Sequence, residues 1–200
     1  MSEIVDQIDK SRLPDHIAVI MDGNGRWAQE QGEDRLYGHY HGVESVRDIV
    51  EGCAELGVSF LTLYAFSTEN WDRPQDEVSG LMELLVSTIR KEAEILHKNN
   101  IRLHIIGDTT MLPKTAQQEL HEALTLTEQN DRLNLIMALS YSGRWDLTNA
   151  TKKIAEQVRN GQLEPLNITN EVLKQNLFTA KFPDPELMIR TGGEYRISNF

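Results

Sequence analysis

His16-Ile17-Ala18-Val19-Ile20-Met21-Asp22-Gly23-Asn24-Gly25-Arg26-Trp27 is the stretch whose reading decides the fold. Ile17 to Met21 is an unbroken apolar run, short and partly β-branched, which predicts a strand over 16–21 buried on both faces. Asp22-Gly23-Asn24-Gly25 then punctuates the chain, and a helix start follows. Strand, tight turn and helix start in that order are the first half of a βα unit.

The same alternation continues outward. Apolar runs predict further strands over 59–66, 101–106, 133–140 and 186–190. Apolar residues at spacings of three and four lie between them: Val43 to Gly57, Val78 to Leu96, Ala116 to Thr127 and Leu147 to Val158. Thr169 is placed to cap a short helix over 170–178, with Glu171 in its first turn. The predicted fold class is α/β, a mostly parallel central sheet flanked by helices. In such folds ligands sit at the carboxyl ends of the strands. The loops after strands one, two, four and five hold nearly all the Gly, Trp, Arg and Asn clusters.

Composition excludes several classes. A length of 200 residues suits one domain, with residues 1–15 as a polar lead-in and 16–200 as the folded unit. A formal net charge of −11 argues against nucleic acid as a partner. Cys53 is the sole cysteine and falls on an apolar helix stripe, so it reads as packing in a reducing, cytoplasmic setting. No apolar run is long enough to span a bilayer, which leaves peripheral contact at the membrane's inner face.

The strand-end motifs carry the chemistry. In Asp22-Gly23-Asn24-Gly25-Arg26-Trp27, the glycines allow close backbone approach, the amides of a helix start suit phosphate, and Arg26 adds a forked cation. Asp22 would repel phosphate directly; its sensible role there is to hold Mg²⁺. The same residues also suit an Asx turn capping a helix. Arg35 and His39 lie four apart and could share a helix face. Tyr64 to Pro74 is an aromatic-rich loop in which Ser67, Asn70 and Arg73 could position a polar head, while Thr68, Asn70 or Asp72 could instead cap the next helix. Ser140-Tyr141-Ser142-Gly143-Arg144-Trp145-Asp146 reads as structure: a turn, a cap and a packed aromatic, with Asp146 a candidate ion partner for an arginine. Arg190, Arg196 and Ser198 bracket the Gly192-Gly193 turn and form a second candidate diphosphate clamp. Two anion seats suggest two phosphorylated substrates, or one with distant phosphates.

Taken together, these motifs resemble the signature of the cis-prenyltransferase family from about His16 onward. The bacterial short-chain layout is most similar to the undecaprenyl diphosphate synthases within it. The resemblance implies a Mg²⁺-dependent enzyme that joins isopentenyl diphosphate to farnesyl diphosphate, making a long Z-polyprenyl diphosphate for cell-wall synthesis. It implies that Asp22 holds the metal and helps detach pyrophosphate. Gly23, Asn24, Gly25, Arg26, Trp27, Arg35 and His39 would seat the allylic diphosphate, and Arg190, Arg196 and Ser198 the isopentenyl diphosphate. Ser67, Thr68, Glu69, Asn70, Trp71 and Arg73 would orient the homoallylic substrate and assist proton loss, with Asn70 the catalytic candidate. The growing chain would lie in an apolar tunnel between the sheet and helices 42–57 and 75–98, with Leu133, Ile136 and the 78–96 stripe near its far end. A homodimer is implied. Relatives are expected to continue some tens of residues past Phe200, through a final strand, dimer contacts and a glutamate reaching the metal site across the dimer. The 16–200 unit is thus expected to lack its C-terminal part, with little activity on its own. His41 departs from the small residue usual in relatives. The trans-prenyltransferases use paired-aspartate clusters, and this chain has no adjacent Asp-Asp pair. A non-catalytic partner subunit or an unrelated phosphate-binding α/β enzyme would be the alternatives.

Overall fold

Residues 7–199 are described by a computed structural model. Residues 1–6 of the lead-in and Phe200 of the last motif lie outside the described residues. Five strands form one sheet: β1 His16–Ile20, β2 Phe60–Ser67, β3 Ile101–Ile106, β4 Leu133–Tyr141 and β5 Leu187–Arg190. The order across the sheet is β3-β4-β2-β1-β5, and every pairing is parallel. The helices are α1 Asn24–Glu30, α2 Arg35–Leu56, α3 Gln75–Lys98, α4 Lys114–Thr127, α5 Gly143–Arg159 and α6 Asn170–Asn176.

Each strand lies where the apolar runs predict it; β1 to β4 are largely covered on both faces and have no polar side to blur their ends, whereas edge strand β5 is apolar but exposed, so the expected burial on both faces does not hold for it. Val19, Leu61, Leu63, Leu103, Leu133 and Leu135 pack on one face against Val50, Cys53, Val78, Met82, Ile89, Ala116 and Leu120 of α2, α3 and α4. The opposite face carries Ile136, Ala138 and Tyr141, covered by Trp145 of α5 with Phe178 and Phe182. Cys53 is buried in the first cluster, as its stripe position predicts.

Helix α2 differs most from its sequence reading, starting seven residues before the expected 42. Asp34 caps it, its side chain accepting from Tyr37 N at 2.8 Å. Gly38 obscures this turn because glycine disfavours helix. Its lack of a side chain is what the packing requires, since a Cβ there would stand 2.0 Å from the Asn24 carbonyl oxygen of α1. The short final helix is capped by Thr169 as predicted and ends two residues early, at Asn176.

The register sets the strand ends level. Ile20 lies opposite both Tyr64 and Arg190, and Ser67 opposite Tyr141. The loops after β1, β2, β4 and β5 therefore meet at one edge of the sheet.

Candidate active site

The site begins where the turn after β1 meets the turn after β5. Gly23 caps α1 in the left-handed region, at φ +99°, and a Cβ there would stand 3.0 Å from the Cα of Gly192. Thr191 fastens the two turns: its hydroxyl accepts from Asp22 N at 2.8 Å and donates to Asp22 O at 2.5 Å. No side chain caps the first amides of α1. The helix spans only seven residues, so arginines rather than its dipole must supply most of the positive charge.

Those arginines converge. Asp22, Gly23, Gly25, Arg26, Arg35, Glu194 and Arg196 line one polar cleft. Arg26 donates to the Gly192 carbonyl at 3.0 Å and to Glu194 at 3.2 Å, and Arg196 also donates to Glu194. Arg190 donates to Asp22 Oδ2 at 2.8 Å, to Ser198 Oγ at 3.3 Å and to the Arg196 carbonyl. Burial pushes the Asp22 carboxyl up, but the Arg190 hydrogen bond, the Gly23 amide and the charges of Arg190 and Arg26 outweigh it and hold the group below its ordinary range. Asp22 is therefore a carboxylate at neutral pH.

A second cluster stands beside the first. Glu77, at the start of α3, accepts from Arg73 at 2.7 Å and from Arg35 at 3.4 Å, and lies 4.0 Å from His39 Nε2. Arg35 and His39 do share a face of α2, as their spacing predicts. Burial lowers the His39 imidazole, the charges of Arg73 and Arg35 lower it further, and Glu77 opposes them, so the ring is neutral near pH 7. His39 Nε2 and Arg190 Nε are buried nitrogens with no hydrogen-bond partner among the described residues. His39 itself borders the mouth of the apolar channel, while Arg190 is packed against Asp22.

The loop after β2 is held from several sides. Ser67 and Asn70 form a reciprocal capping box over a single 3₁₀ turn, with Ser67 N donating to Asn70 Oδ1 at 2.9 Å. Thr68 donates to Ser142 Oγ at 3.0 Å, and Trp71 Nε1 to Ser140 Oγ at 2.9 Å. Glu69 accepts from Asn199. None of Thr68, Asn70 and Asp72 caps α3 as the capping reading expects: Pro74 stands at its N-terminus with no side-chain cap, and the capping box closes only the 3₁₀ turn, because the loop turns once before the helix begins. Arg73 stands at the mouth of the apolar channel.

An apolar channel leads away from the polar cluster. Asn24, His39 and Arg73 stand at its mouth with Val43, Val46, Leu63, Leu85, Thr88 and Met137 along the walls. The same six wall residues line a deeper cavity that ends at Leu96, Ile101, Leu103, Ala123 and Leu135. The volumes are about 180 Å³ at the mouth and about 90 Å³ beyond it. The channel runs between the sheet, α2 and α3, as expected. Its far end needs one correction. Ile136 projects to the other face of the sheet, and Leu133 is closed inside the core, so Leu135 and Met137 line the channel instead. Side chains alternate faces along a strand, and an unbroken apolar run cannot tell which set faces which way.

The remaining candidates fall nearby. Trp27 is 43% exposed and stacks on Tyr37 at 6.0 Å, while His41 packs against both rings. Asp146 does not pair with an arginine. It is 1% exposed and accepts from Tyr141 OH at 3.1 Å and Phe178 N at 2.9 Å, so its role is to fix the α6 end against α5. Glu77, Thr191 and Glu194 are not among the sequence candidates, and Ser140 is there only as part of a structural turn. Glu77 stands with Asp76 in the acidic first turn of α3, and Glu194 lies between two selected arginines, so neither carries a distinct signal.

A parallel sheet that gathers arginines and a few carboxylates beside a narrow apolar channel defines a class of protein handling a diphosphate head with a hydrocarbon tail. The chain belongs to the family described as "Putative undecaprenyl diphosphate synthase", whose profile matches residues 20–200. It is 53% identical over 188 residues to an isoprenyl transferase of Chlorobaculum tepidum, covering 94% of this chain and 71% of that one. It is 50% identical over 192 residues to a farnesyl-diphosphate-specific ditrans,polycis-undecaprenyl-diphosphate synthase of Haemophilus ducreyi, covering 96% and 79%. Among solved structures, lavandulyl diphosphate synthase from Lavandula x intermedia, in complex with dimethylallyl diphosphate, superimposes with a TM-score of 0.91 at 36% identity, covering 94% and 81%.

Proposed function

We propose that the protein is a Mg²⁺-dependent cis-prenyltransferase that condenses isopentenyl diphosphate onto farnesyl diphosphate to make undecaprenyl diphosphate. The observation that carries this reading is an open pocket that joins the arginine-lined cleft to the apolar channel between the sheet, α2 and α3: it shares Asp22 and Gly23 with the cleft, and Met21, Asn24, Gly42 and Val46 with the channel mouth. A head of three or more negative charges and a long hydrocarbon tail would each find a matched surface.

Asn24, Gly25, Arg26, Arg35 and His39 would seat the allylic diphosphate, placing its tail in the channel. Arg190, Arg196 and Ser198 would seat isopentenyl diphosphate. As the allylic carbon–oxygen bond breaks, the electron pair leaves with pyrophosphate, and the fixed guanidinium groups stabilise the charge where it develops. The allylic carbon bonds to the terminal alkene carbon of isopentenyl diphosphate, and a proton is then lost to form the new double bond. Ser67 and Asn70 are not bases at neutral pH, so they can orient the proton acceptor without being it. Each added isoprene unit buries five carbons, about 0.8 kcal/mol per CH₂-sized group, which favours retention of the intermediate.

The donor set fits Mg²⁺. No group of three or more His, Cys, Asp or Glu that could hold a metal occurs among the described residues; Asp22 and Glu194 line the cleft, Asp22 held ionised and Glu194 engaged by Arg26 and Arg196. Mg²⁺ is commonly held by one or two carboxylates together with substrate phosphate oxygens. Asp22 would hold it with the diphosphate, and the ion would neutralise charge on the leaving group.

Leu187, Met188 and Ile189 of edge strand β5 are each 42% exposed, an apolar surface suited to a homodimer contact. No described helix is long and apolar enough to cross a membrane, so delivery of a lipid product calls for peripheral contact from the cytoplasmic side.

The test is incubation with farnesyl diphosphate, labelled isopentenyl diphosphate and Mg²⁺. Butanol-extractable labelled polyprenyl product that is lost with chelator supports the reading. Diphosphate binding without product, in this chain and in a form extended past Phe200, overturns it in favour of a partner subunit. Phosphate release without chain extension would mark a phosphatase.

A further inference from the structure

We infer that Ser140, at the end of β4, is a positioning residue that sets the pose of Trp71 and with it the loop 67–73. The inference rests on the reading of that loop as the part that orients isopentenyl diphosphate.

Ser140 is fully buried, and its backbone lies in the left-handed region at φ +51°. That conformation is uncommon for a residue with a Cβ, and it persists only where surrounding structure holds it. Here it turns the hydroxyl out of the strand's regular alternation and under the neighbouring loop. Ser140 Oγ accepts from Trp71 Nε1 at 2.9 Å and donates to Met111 Sδ at 3.5 Å, so both hydroxyl functions are used. The Ser140 carbonyl accepts from Asp108 N at 3.2 Å, which locks the same residue to the loop after β3. Two residues on, Ser142 takes the Thr68 hydroxyl at 3.0 Å. Trp71 also meets Phe66 edge to face at 5.0 Å. The indole is thus pinned at its polar end by Ser140 and on its ring by Phe66. Two residues beyond it, Arg73 reaches Glu77. An indole free to rotate would release the segment that carries Asn70 and Arg73.

The experiment compares Ser140→Gly, Trp71→Phe and the double variant. Glycine takes the left-handed backbone without strain, so this substitution removes the hydroxyl and spares the fold. Phenylalanine keeps an aromatic ring and removes the N–H. Calorimetric titration with isopentenyl diphosphate alone, tryptophan emission, and KM and kcat where the protein turns over are read for each. Ser140→Gly is expected to weaken isopentenyl diphosphate binding by about tenfold, the worth of one buried hydrogen bond. It is expected to shift Trp71 emission and leave the affinity for farnesyl diphosphate within about twofold. In the Trp71→Phe background, the Ser140→Gly effect is expected to vanish, because the N–H that it served is gone. Additive effects of the two substitutions, or unchanged emission and affinity in Ser140→Gly, overturn the inference. Asn70→Ala serves as the control on the underlying reading. If it leaves isopentenyl diphosphate binding unchanged, the loop assignment fails; if it weakens binding while Ser140→Gly does not, only the Ser140 inference fails.

Discussion

Arg190 Nη2 donates to Asp22 Oδ2 at 2.8 Å, tying the end of β5 to the turn after β1 across 168 residues of sequence. The Arg190 side chain is 12% exposed and that of Asp22 31%, so the pair is shielded mainly on the Arg190 side. One carboxylate thereby orients an arginine of one proposed seat and is itself kept ionised for the metal of the other.

Asp22→Asn keeps the shape of the carboxylate and removes its charge. Product formation should fall about 10²- to 10³-fold, the scale seen when one preorganised stabilising group is removed from a transition state. Stability should fall by about 1 kcal/mol, because Arg190 keeps one neutral acceptor in place of an ion partner. Labelled-product assays across a Mg²⁺ titration check this. Undiminished turnover with the same metal dependence would sink the metal assignment.

Glu77 holds Arg35, Arg73 and His39 in one cluster, and its side chain is 13% exposed. Glu77→Gln should lower kcat about tenfold by loosening the arginines, while KM for the allylic diphosphate holds or falls because the cluster becomes more positive. The His39 imidazole, which Glu77 draws upward, should titrate lower still in the variant. Steady-state kinetics and histidine NMR titration read both effects. A raised KM with unchanged kcat would show that Glu77 contributes to binding only.

The sheet was legible in the sequence because its strands are short apolar runs, four of them largely covered on both faces, and its loops are polar. All five strands lie within a residue of the apolar runs, and the C-terminal edge of the sheet gathers the motifs as the α/β pattern requires. What the pattern could not give is side and partner. Ile136 faces away from the channel although it sits between Leu135 and Met137, which line it. The first two turns of α2 were obscured by Gly38, whose reason lies in α1. Glu194, Thr191 and Ser140 matter through partners more than 60 residues away, as with Ser140 and Trp71, and no local signal marks such pairs.

Val46 and Met137 share the channel wall at both the mouth and the deeper cavity. Val46→Phe should block the passage and shift products toward shorter chains, while Met137→Ala should widen it and lengthen them. Each added carbon forgoes or gains about 0.8 kcal/mol of burial, so a block of one isoprene unit is several kcal/mol against further extension. Chromatography of dephosphorylated products measures the distribution. Identical chain lengths in both variants would remove the channel as the site of the growing tail.

His104 provides a test of acid sensitivity away from the site. Burial lowers its imidazole below the ordinary 6.5, Arg102 and Lys181 lower it further, and the hydrogen bond with Asn134 opposes them. The unfolded chain therefore takes up a proton near pH 6.5 while the folded protein does not. The unfolded state binds more protons across that interval, so stability must fall as pH drops below about 6.5, by up to about 1.4 kcal/mol per pH unit, and level off once the folded ring also titrates. His39, lowered by burial, adds a second contribution of the same sign. Asp146 runs the other way: burial lifts its carboxyl, so it binds its proton more readily in the folded state and recovers some stability on acidification. The difference between the parent and His104→Gln isolates the His104 contribution. Urea denaturation between about pH 7.5 and 5.5 should show a shallower loss in His104→Gln than in the parent, because glutamine takes up no proton in either state. Parallel stability curves in the two proteins would mean that the folded state protonates His104 as easily as the unfolded chain does.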